Sequence, residues 1–146
     1  MIDNRTAPYA VFALRVALGM IFLIHGGIKL FVFTPAGTVR YFNSLGLPPI
    51  VAYVTMGWEL IGGLALVLGI WPRIVALAFI PELIGTIVVA HAANGFLFSN
   101  PKGGWEFSAF LIVSLLVLAA LGNGAFALKP DTLERAFGRS RDVRRA

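Results

Sequence analysis

Seven ionisable side chains lie within long apolar stretches of this sequence or at their edges: Arg15, His25, Lys29, Glu59, Glu82, His91 and Glu106. A charged group is costly in hydrocarbon, so such residues usually pair with one another and mark functional sites. Imidazole, ammonium and carboxyl groups can bind a polar ligand or exchange a proton with it. The residue types therefore predict a polar pocket within a membrane-embedded part of the protein.

The spacing in the first apolar stretch places three of these groups on one helical face. At 100° per residue, Arg15, His25 and Lys29 fall within about 80° of one another. Such a polar stripe must face protein or water. Gly26 follows His25 and leaves room beside it, which favours a pocket at that end. Arg15 lies toward the other end and is expected to be a structural anchor.

The second apolar stretch carries Glu59, which shares a helical face with Gly62 and Gly63. Small residues let a neighbouring helix approach closely in a membrane. At 1.5 Å per residue, Glu59 lies about 13 Å below the membrane surface. We expect its carboxylate to be paired, because an unmatched buried charge is strongly destabilising.

The arrangement with the fewest unpaired charges sets His25 and Lys29 against Glu59, with Glu106 as a further partner. These four residues form the predicted ligand-binding group. Two of them have simpler interpretations. Lys29 is close enough to the interface to extend its amine to water, and Glu106 can sit among the lipid headgroups.

Glu82 and His91, in the third apolar stretch, are expected to line the pocket or to be structural. Glu82 follows Pro81 near the middle of the membrane, where the proline frees a backbone carbonyl. Nine residues separate Glu82 from His91, which places them on opposite sides of a regular helix. We therefore expect that they do not serve one site and that His91 is a hydrogen-bonded residue at a helix end.

Four apolar stretches are long enough to form helices that cross about 30 Å of hydrocarbon. They cover residues 9–33, 50–71, 73–94 and 105–122. They predict an all-α fold, namely an integral membrane four-helix bundle over residues 1–128. Residues 34–49, in the first connection, have the pattern of a short amphipathic helix that lies in the interface. The distribution of Lys and Arg near the span ends favours cytoplasmic N- and C-termini.

The composition agrees with a bilayer environment. Of the 146 residues, 58% are hydrophobic and 13% are charged, against roughly 25% charged in soluble domains. The net charge of +5 does not indicate nucleic-acid binding, because the basic residues gather in a tail over residues 129–146. The tail arginines are Arg135, Arg139, Arg141, Arg144 and Arg145. They predict a cytoplasmic tail that contacts anionic lipids.

Few cofactors fit the available side chains. The sequence has no cysteine, which excludes a disulfide, a thiolate metal site and an iron–sulfur cluster carried by this chain. No His/carboxylate spacing indicates zinc, so no metal site is predicted. His25 and His91 lie at similar depth, but two histidines alone are a weak indication of haem ligation.

Four motifs occur in order between Arg15 and Leu128. They are Arg15-x3-Gly19-x2-Phe22-x2-His25-Gly26-x2-Lys29, Phe42-x3-Gly46-Leu47-Pro48, Glu59-x2-Gly62-Gly63-x5-Gly69 followed by Arg73, and Gly122-x-Gly124. This ordered set resembles the DoxX family of small four-helix membrane proteins. The resemblance covers nearly the whole chain.

The resemblance implies a four-helix bundle in the bacterial plasma membrane. It carries over Arg15, His25, Lys29 and Glu59 as the matching polar positions. The family takes its name from a subunit of a quinone-reducing, sulfur-oxidising complex, and its members are described as membrane oxidoreductases that work with soluble redox partners. The resemblance therefore implies a quinone as the ligand and a soluble redox protein as a partner.

Three functions stay open from the sequence. The first is a membrane subunit of a quinone-linked redox system, in which His25 or Lys29 hydrogen-bonds a quinone carbonyl and Glu59 orients or protonates its neighbour. The second is a non-catalytic membrane anchor or scaffold for redox partners. The third is a small-solute or proton-coupled transporter, which requires a water path past Glu82. Each is compatible with a homo-oligomer.

Overall fold

The structure, a computed structural model, describes residues 3–131 and is all-helical in that part of the chain. The five helices are α1 (Ala7–Gly27), α2 (Thr34–Ser44), α3 (Pro49–Leu68), α4 (Pro72–Thr86) and α5 (Glu106–Leu121). Two of them continue into π-helical turns, α1 through Ile28–Val32 and α4 through Ile87–His91. The predicted all-α class is confirmed.

Three helical segments are long and apolar enough to cross a membrane. They are Ala7–Val32, Pro49–Leu68 and Pro72–Asn94. The helix α5 is apolar as well but shorter, with 16 residues. Large apolar side chains cover the outside of the bundle, including Ile24, Ile61 and Phe110. So much exposed apolar surface is expected where lipid is the solvent.

The helix α1 packs closely against α3 because glycines face each other at their crossing. A Cβ atom added at Gly19 would lie 2.7 Å from the Gly63 carbonyl oxygen, and one added at Gly63 would lie 2.9 Å from the Gly19 carbonyl oxygen. The helix α4 packs against α5. The Phe22 and Phe79 rings stack across the core with centroids 3.6 Å apart, which joins α1 to α4.

Gly19→Ala is expected to lower the free energy of unfolding by about 1–3 kcal/mol, because the added methyl group overpacks the crossing of α1 and α3. Reversible unfolding in mixed detergent micelles measures the change. Gly57→Ala is the matched control, since nothing lies within 4 Å of a Cβ atom added at Gly57 in α3. Equal destabilisation by both substitutions would contradict the close approach at Gly19.

The chain ends of the described part meet at one end of the bundle, here called the terminal end. The Ala125 amide donates to the Pro8 carbonyl, 2.9 Å away. Residues after α5 pair in parallel with the α3–α4 turn, where the Trp71 amide donates to the Lys129 carbonyl. Asp131 accepts a hydrogen bond from the Arg73 amide at 3.2 Å. The predicted basic tail lies, apart from residues 129–131, outside the described residues.

The first connection forms the predicted short helix, α2. The Gly37 amide donates to the Thr34 hydroxyl, 3.3 Å away, and Pro35 lies in the first turn, where its missing N–H costs nothing. The Thr38 hydroxyl donates to the Lys29 carbonyl at 2.9 Å. This bond fastens α2 to the π-helical turn that ends α1.

Candidate functional site

A cavity of about 1280 Å³ lies at the end of the bundle opposite the terminal end. All five helices and the loop before α5 contribute to its lining. The walls are mainly apolar and rich in aromatic side chains, among them Phe22, Phe42, Trp58, Phe98 and Phe107. A large apolar cavity with a few convergent polar groups is the usual form of a small-molecule site.

The central polar feature of the cavity is an ion pair between Lys29 and Glu59. The Lys29 Nζ atom lies 2.7 Å from Oε1 and 2.8 Å from Oε2 of Glu59. The Glu59 residue is only 4% exposed, and the Lys29 side chain is 22% exposed. The structure thus brings together the two residues that the sequence paired. The alternative that Lys29 extends into water is wrong.

Glycines make room for this pair between α1 and α3. A Cβ atom added at Gly26 would lie 3.1 Å from Cβ of Glu59, so α1 passes directly beside the carboxylate-bearing residue. Gly62 lies one turn further along α3, under the Phe79 ring. Gly26, Gly62 and Gly63 therefore act through packing, as their small size suggested.

Glu82 is the second carboxyl group at the ion pair. Its carboxyl group lies within hydrogen-bonding reach of the Glu59 carboxyl group and close to Lys29. The Glu82 Oε2 atom is buried and has no hydrogen-bond partner among residues 3–131. Glu82 thus lines the pocket next to the ion pair.

The two histidines line the cavity from different helices. The His25 ring packs edge-on against Phe107, with centroids 6.0 Å apart. Within residues 3–131 no ion pair joins His25 to Glu59, so the expectation that His25 pairs with Glu59 is wrong. The His91 Nδ1 atom lies 3.0 Å from the Gly103 carbonyl oxygen. Since a carbonyl can only accept, Nδ1 of His91 carries the hydrogen and donates it. His91 is therefore the hydrogen-bonded helix-end residue that the sequence predicted.

Glu82 and His91 both line this cavity, although their spacing places them on opposite sides of a regular helix. A helical wheel assumes 100° per residue throughout. Residues Ile87–His91 form a π-helical turn, in which i→i+5 hydrogen bonds spread one turn over more residues. The turn rotates His91 back toward the face of Glu82. A π-helical turn also ends α1 and contains Lys29.

Two predicted residues lie apart from the ion pair. Glu106 lines the cavity from the first turn of α5, but the ion pairs within residues 3–131 are Lys29–Glu59 and Arg73–Asp131. The expectation that Glu106 joins the charged pair is therefore wrong. Arg15 is fully buried at the terminal end and does not line the cavity. The polar face of α1 therefore contributes to two regions, Arg15 to the terminal end and His25 and Lys29 to the cavity.

Sequence reasoning missed the aromatic walls of the site. Trp58 lines the cavity and packs on the core ring of Phe79 with centroids 4.9 Å apart, and Tyr41 and Phe42 of α2 line the cavity as well. Aromatic residues are so frequent in membrane spans that nothing in the pattern distinguished Trp58 as a wall of the site. Tyr41 and Phe42 belong to the helix that the sequence placed in the interface.

Comparison with known proteins identifies the family of this chain. The DoxX family model matches residues 10–92, which include α1 to α4 and the Lys29–Glu59 pair. The chain belongs to the DoxX family. Every ionisable residue of the cavity except Glu106 lies within the part that matches the DoxX model.

Two relatives of this DoxX protein match it over most of their length. One is "Putative oxidoreductase CatD" of Bacillus subtilis (strain 168), 35% identical over 127 residues that cover 87% of this chain and 90% of that protein. The other is "Inner membrane protein YphA" of Escherichia coli (strain K12), 31% identical over 127 residues that cover 83% of this chain and 89% of that protein. No solved structure shows a significant match.

Proposed function

We propose that this DoxX protein spans the bacterial plasma membrane four times, with α5 as the fourth span and both termini in the cytoplasm. The terminal end carries Arg5, Arg73 and Lys129, and cytoplasmic ends of spans are rich in Lys and Arg. The cavity then opens toward the outer side, with α2 lying across it near the interface. The name of the relative from E. coli supports an inner-membrane location.

We propose that the cavity binds the headgroup of a quinone and that the protein is the membrane subunit of a quinone-linked redox system. The observation that carries this proposal is the Lys29–Glu59 ion pair, buried at the centre of a large aromatic cavity. A quinone offers the matching features, a flat ring for the aromatic walls and carbonyl oxygens for hydrogen-bond donors. Its isoprenoid tail suits the surrounding lipid.

The donors for such a ligand are available in the cavity. An ammonium group has three N–H donors. Two of those of Lys29 bond to the Glu59 oxygens, so the third can donate to a carbonyl oxygen of the ligand. His25 supplies a second donor from α1. These donors favour a carbonyl that gains negative charge on reduction. A relative named as an oxidoreductase supports redox chemistry, with a soluble redox partner supplying the electrons.

His25→Ala is expected to weaken the binding of a short-chain ubiquinone analogue about tenfold, the effect of one lost hydrogen bond of roughly 1.4 kcal/mol. Glu59→Gln is expected to weaken it by a similar factor, because the Lys29 amine loses the carboxylate that orients it toward the ligand. Equilibrium binding to the purified protein in lipid nanodiscs measures the dissociation constant. The control is Tyr53→Ala, since Tyr53 lies exposed on α3 outside the cavity. The lipid extract of the wild-type protein should contain quinone.

Unchanged affinity in both cavity variants would remove the quinone assignment. Absence of quinone binding in the wild type, with a defined protein partner recovered from the membrane, would instead favour the anchor or scaffold function. Solute flux into proteoliposomes without quinone binding would favour a transporter.

A further inference from the structure

The charges at the centre of the cavity do not balance if every group is ionised. One ammonium group, that of Lys29, lies against two carboxyl groups, those of Glu59 and Glu82. The other titratable groups that face the cavity are His25 on α1, His91 after α4 and Glu106 on α5. None of these three residues forms an ion pair with Glu59 or Glu82. Within residues 3–131, Lys29 is the cation that pairs with the two glutamates.

Glu59 and Glu82 hold different positions in the cluster. Both oxygens of Glu59 accept hydrogen bonds from the Lys29 amine, so Glu59 is the carboxylate of the ion pair. Glu82 reaches the Glu59 carboxyl group from α4, and its buried Oε2 atom has no hydrogen-bond partner in the described part of the chain. Two adjacent carboxylates cannot readily both ionise in a low-dielectric site, and a shared proton is the usual solution.

We propose that Glu82 carries a proton in the ligand-free cavity and that its carboxylic acid group is a hydrogen-bond donor to the ligand. With this proton the cluster of Lys29, Glu59 and Glu82 is electrically neutral. The acid hydrogen can point toward Glu59 when the cavity is empty and toward an acceptor oxygen when a ligand is bound. The recognised ligand class is a neutral molecule with an acceptor oxygen, and its identity as a quinone rests on the proposed function.

This assignment changes which glutamate serves the ligand. Both Glu59 oxygens already accept hydrogen bonds from the Lys29 amine, whereas the buried Oε2 atom of Glu82 has no partner among residues 3–131. An anionic ligand would find no unpaired cation in this neutral cluster, because the Lys29 amine is already paired with the Glu59 carboxylate, so the cluster favours a neutral ligand.

Infrared spectroscopy tests the proton directly, because a protonated carboxylic acid has a C=O stretching band apart from the bands of carboxylates. The protein with carbon-13-labelled glutamate, in lipid nanodiscs at pH 7, is expected to show this band in the wild type. Glu82→Gln should abolish it, and Glu106→Gln, the matched control on α5, should leave it unchanged. A band that is absent from the wild type, or that persists in Glu82→Gln, overturns the proposal.

Lys29→Met gives a quantitative check on the charge count. Without the ammonium group, neutrality requires Glu59 to take up a proton as well, so the band should grow about twofold. An intensity that stays the same would show that the proton on Glu82 does not depend on the charge balance of the cluster, and would overturn the assignment of Glu82 as its neutral member.

Addition of the short-chain ubiquinone analogue tests the contact with the ligand. The Glu82 band should shift to lower frequency as the acid donates to the carbonyl oxygen, and no such shift can occur in Glu82→Gln. If the quinone binds but the band does not move, the donor role of Glu82 is wrong. If no quinone binds while the band is present and lost in Glu82→Gln, the quinone function fails and the protonated Glu82 stands.

Discussion

Lys29→Met is expected to lower the free energy of unfolding by about 3–5 kcal/mol, the usual cost of removing one partner of a buried ion pair. The cost arises because Glu59, only 4% exposed, keeps its buried position but loses the amine that contacts both of its oxygens. It must then remain as an unpaired charge or take up a proton, and both are unfavourable. Reversible unfolding in mixed detergent micelles measures the change.

The double variant Lys29→Met/Glu59→Gln separates this cause from loss of packing. Removing both charges together should restore stability to within about 1–2 kcal/mol of the wild type, because replacing a whole buried pair is often close to neutral. Lys102→Met, at an exposed lysine of the loop before α5, should change stability by about 0.5 kcal/mol at most. Equal losses in the single and double variants would contradict an energetic pairing of Lys29 with Glu59.

The Lys29–Glu59 pair could be predicted from the sequence because hydrocarbon leaves buried charges few options. The depth of Glu59 follows from a rise of 1.5 Å per residue, and a carboxylate at that depth needs a cation. Lys29 is the lysine near the end of the preceding span. The helical class and the apolar segments followed from hydropathy in the same way, since length and composition alone define a candidate span.

The position of His91 could not be predicted, because a helical wheel assumes a regular helix. The π-helical turn Ile87–His91 breaks that regularity, and no proline or glycine within those five residues signals it. Glu82 was placed on the correct helix but assigned only to the wall, since the wheel gave no distance between α4 and Glu59. Contacts between helices depend on packing that a single helix does not encode.

The role of α2 shows a second limit of the sequence pattern. An apolar face on a short helix is compatible with lipid or with protein, and the pattern cannot tell them apart. In the structure Phe42 and Leu45 line the cavity, and Thr38 bonds to the Lys29 carbonyl. The helix α2 thus covers the site, and its amphipathic pattern also fits a position at the membrane–water interface.

Arg15 has a structural task that its charge alone did not reveal. The side chain is fully buried at the terminal end, and its guanidinium group donates to the carbonyls of Leu66 at 3.1 Å, Val67 at 3.4 Å and Ala125 at 3.1 Å. The first two lie in the last turn of α3, where helix carbonyls have no regular i+4 amide to accept from, and the Leu66 carbonyl also accepts from the Gly69 amide at 3.2 Å. Gly69 must be glycine here, since a Cβ atom would fall on the guanidinium group.

Arg15→Met is expected to lower the free energy of unfolding by about 3–5 kcal/mol, because three charge-assisted hydrogen bonds to buried carbonyls are lost. Arg15→Lys should recover less than half of this, since one amine cannot span the carbonyls of α3 and Ala125 together. Hydrogen exchange adds a local readout: the Ala125 and Lys129 amides, which bond to Pro8 and Gly69, should lose protection first.

Arg5→Met is the control, since Arg5 is an exposed arginine at the same end and should change neither quantity. Unaltered exchange at Ala125 and Lys129 in Arg15→Met would show that the guanidinium group does not hold the segment after α5 to the end of α3.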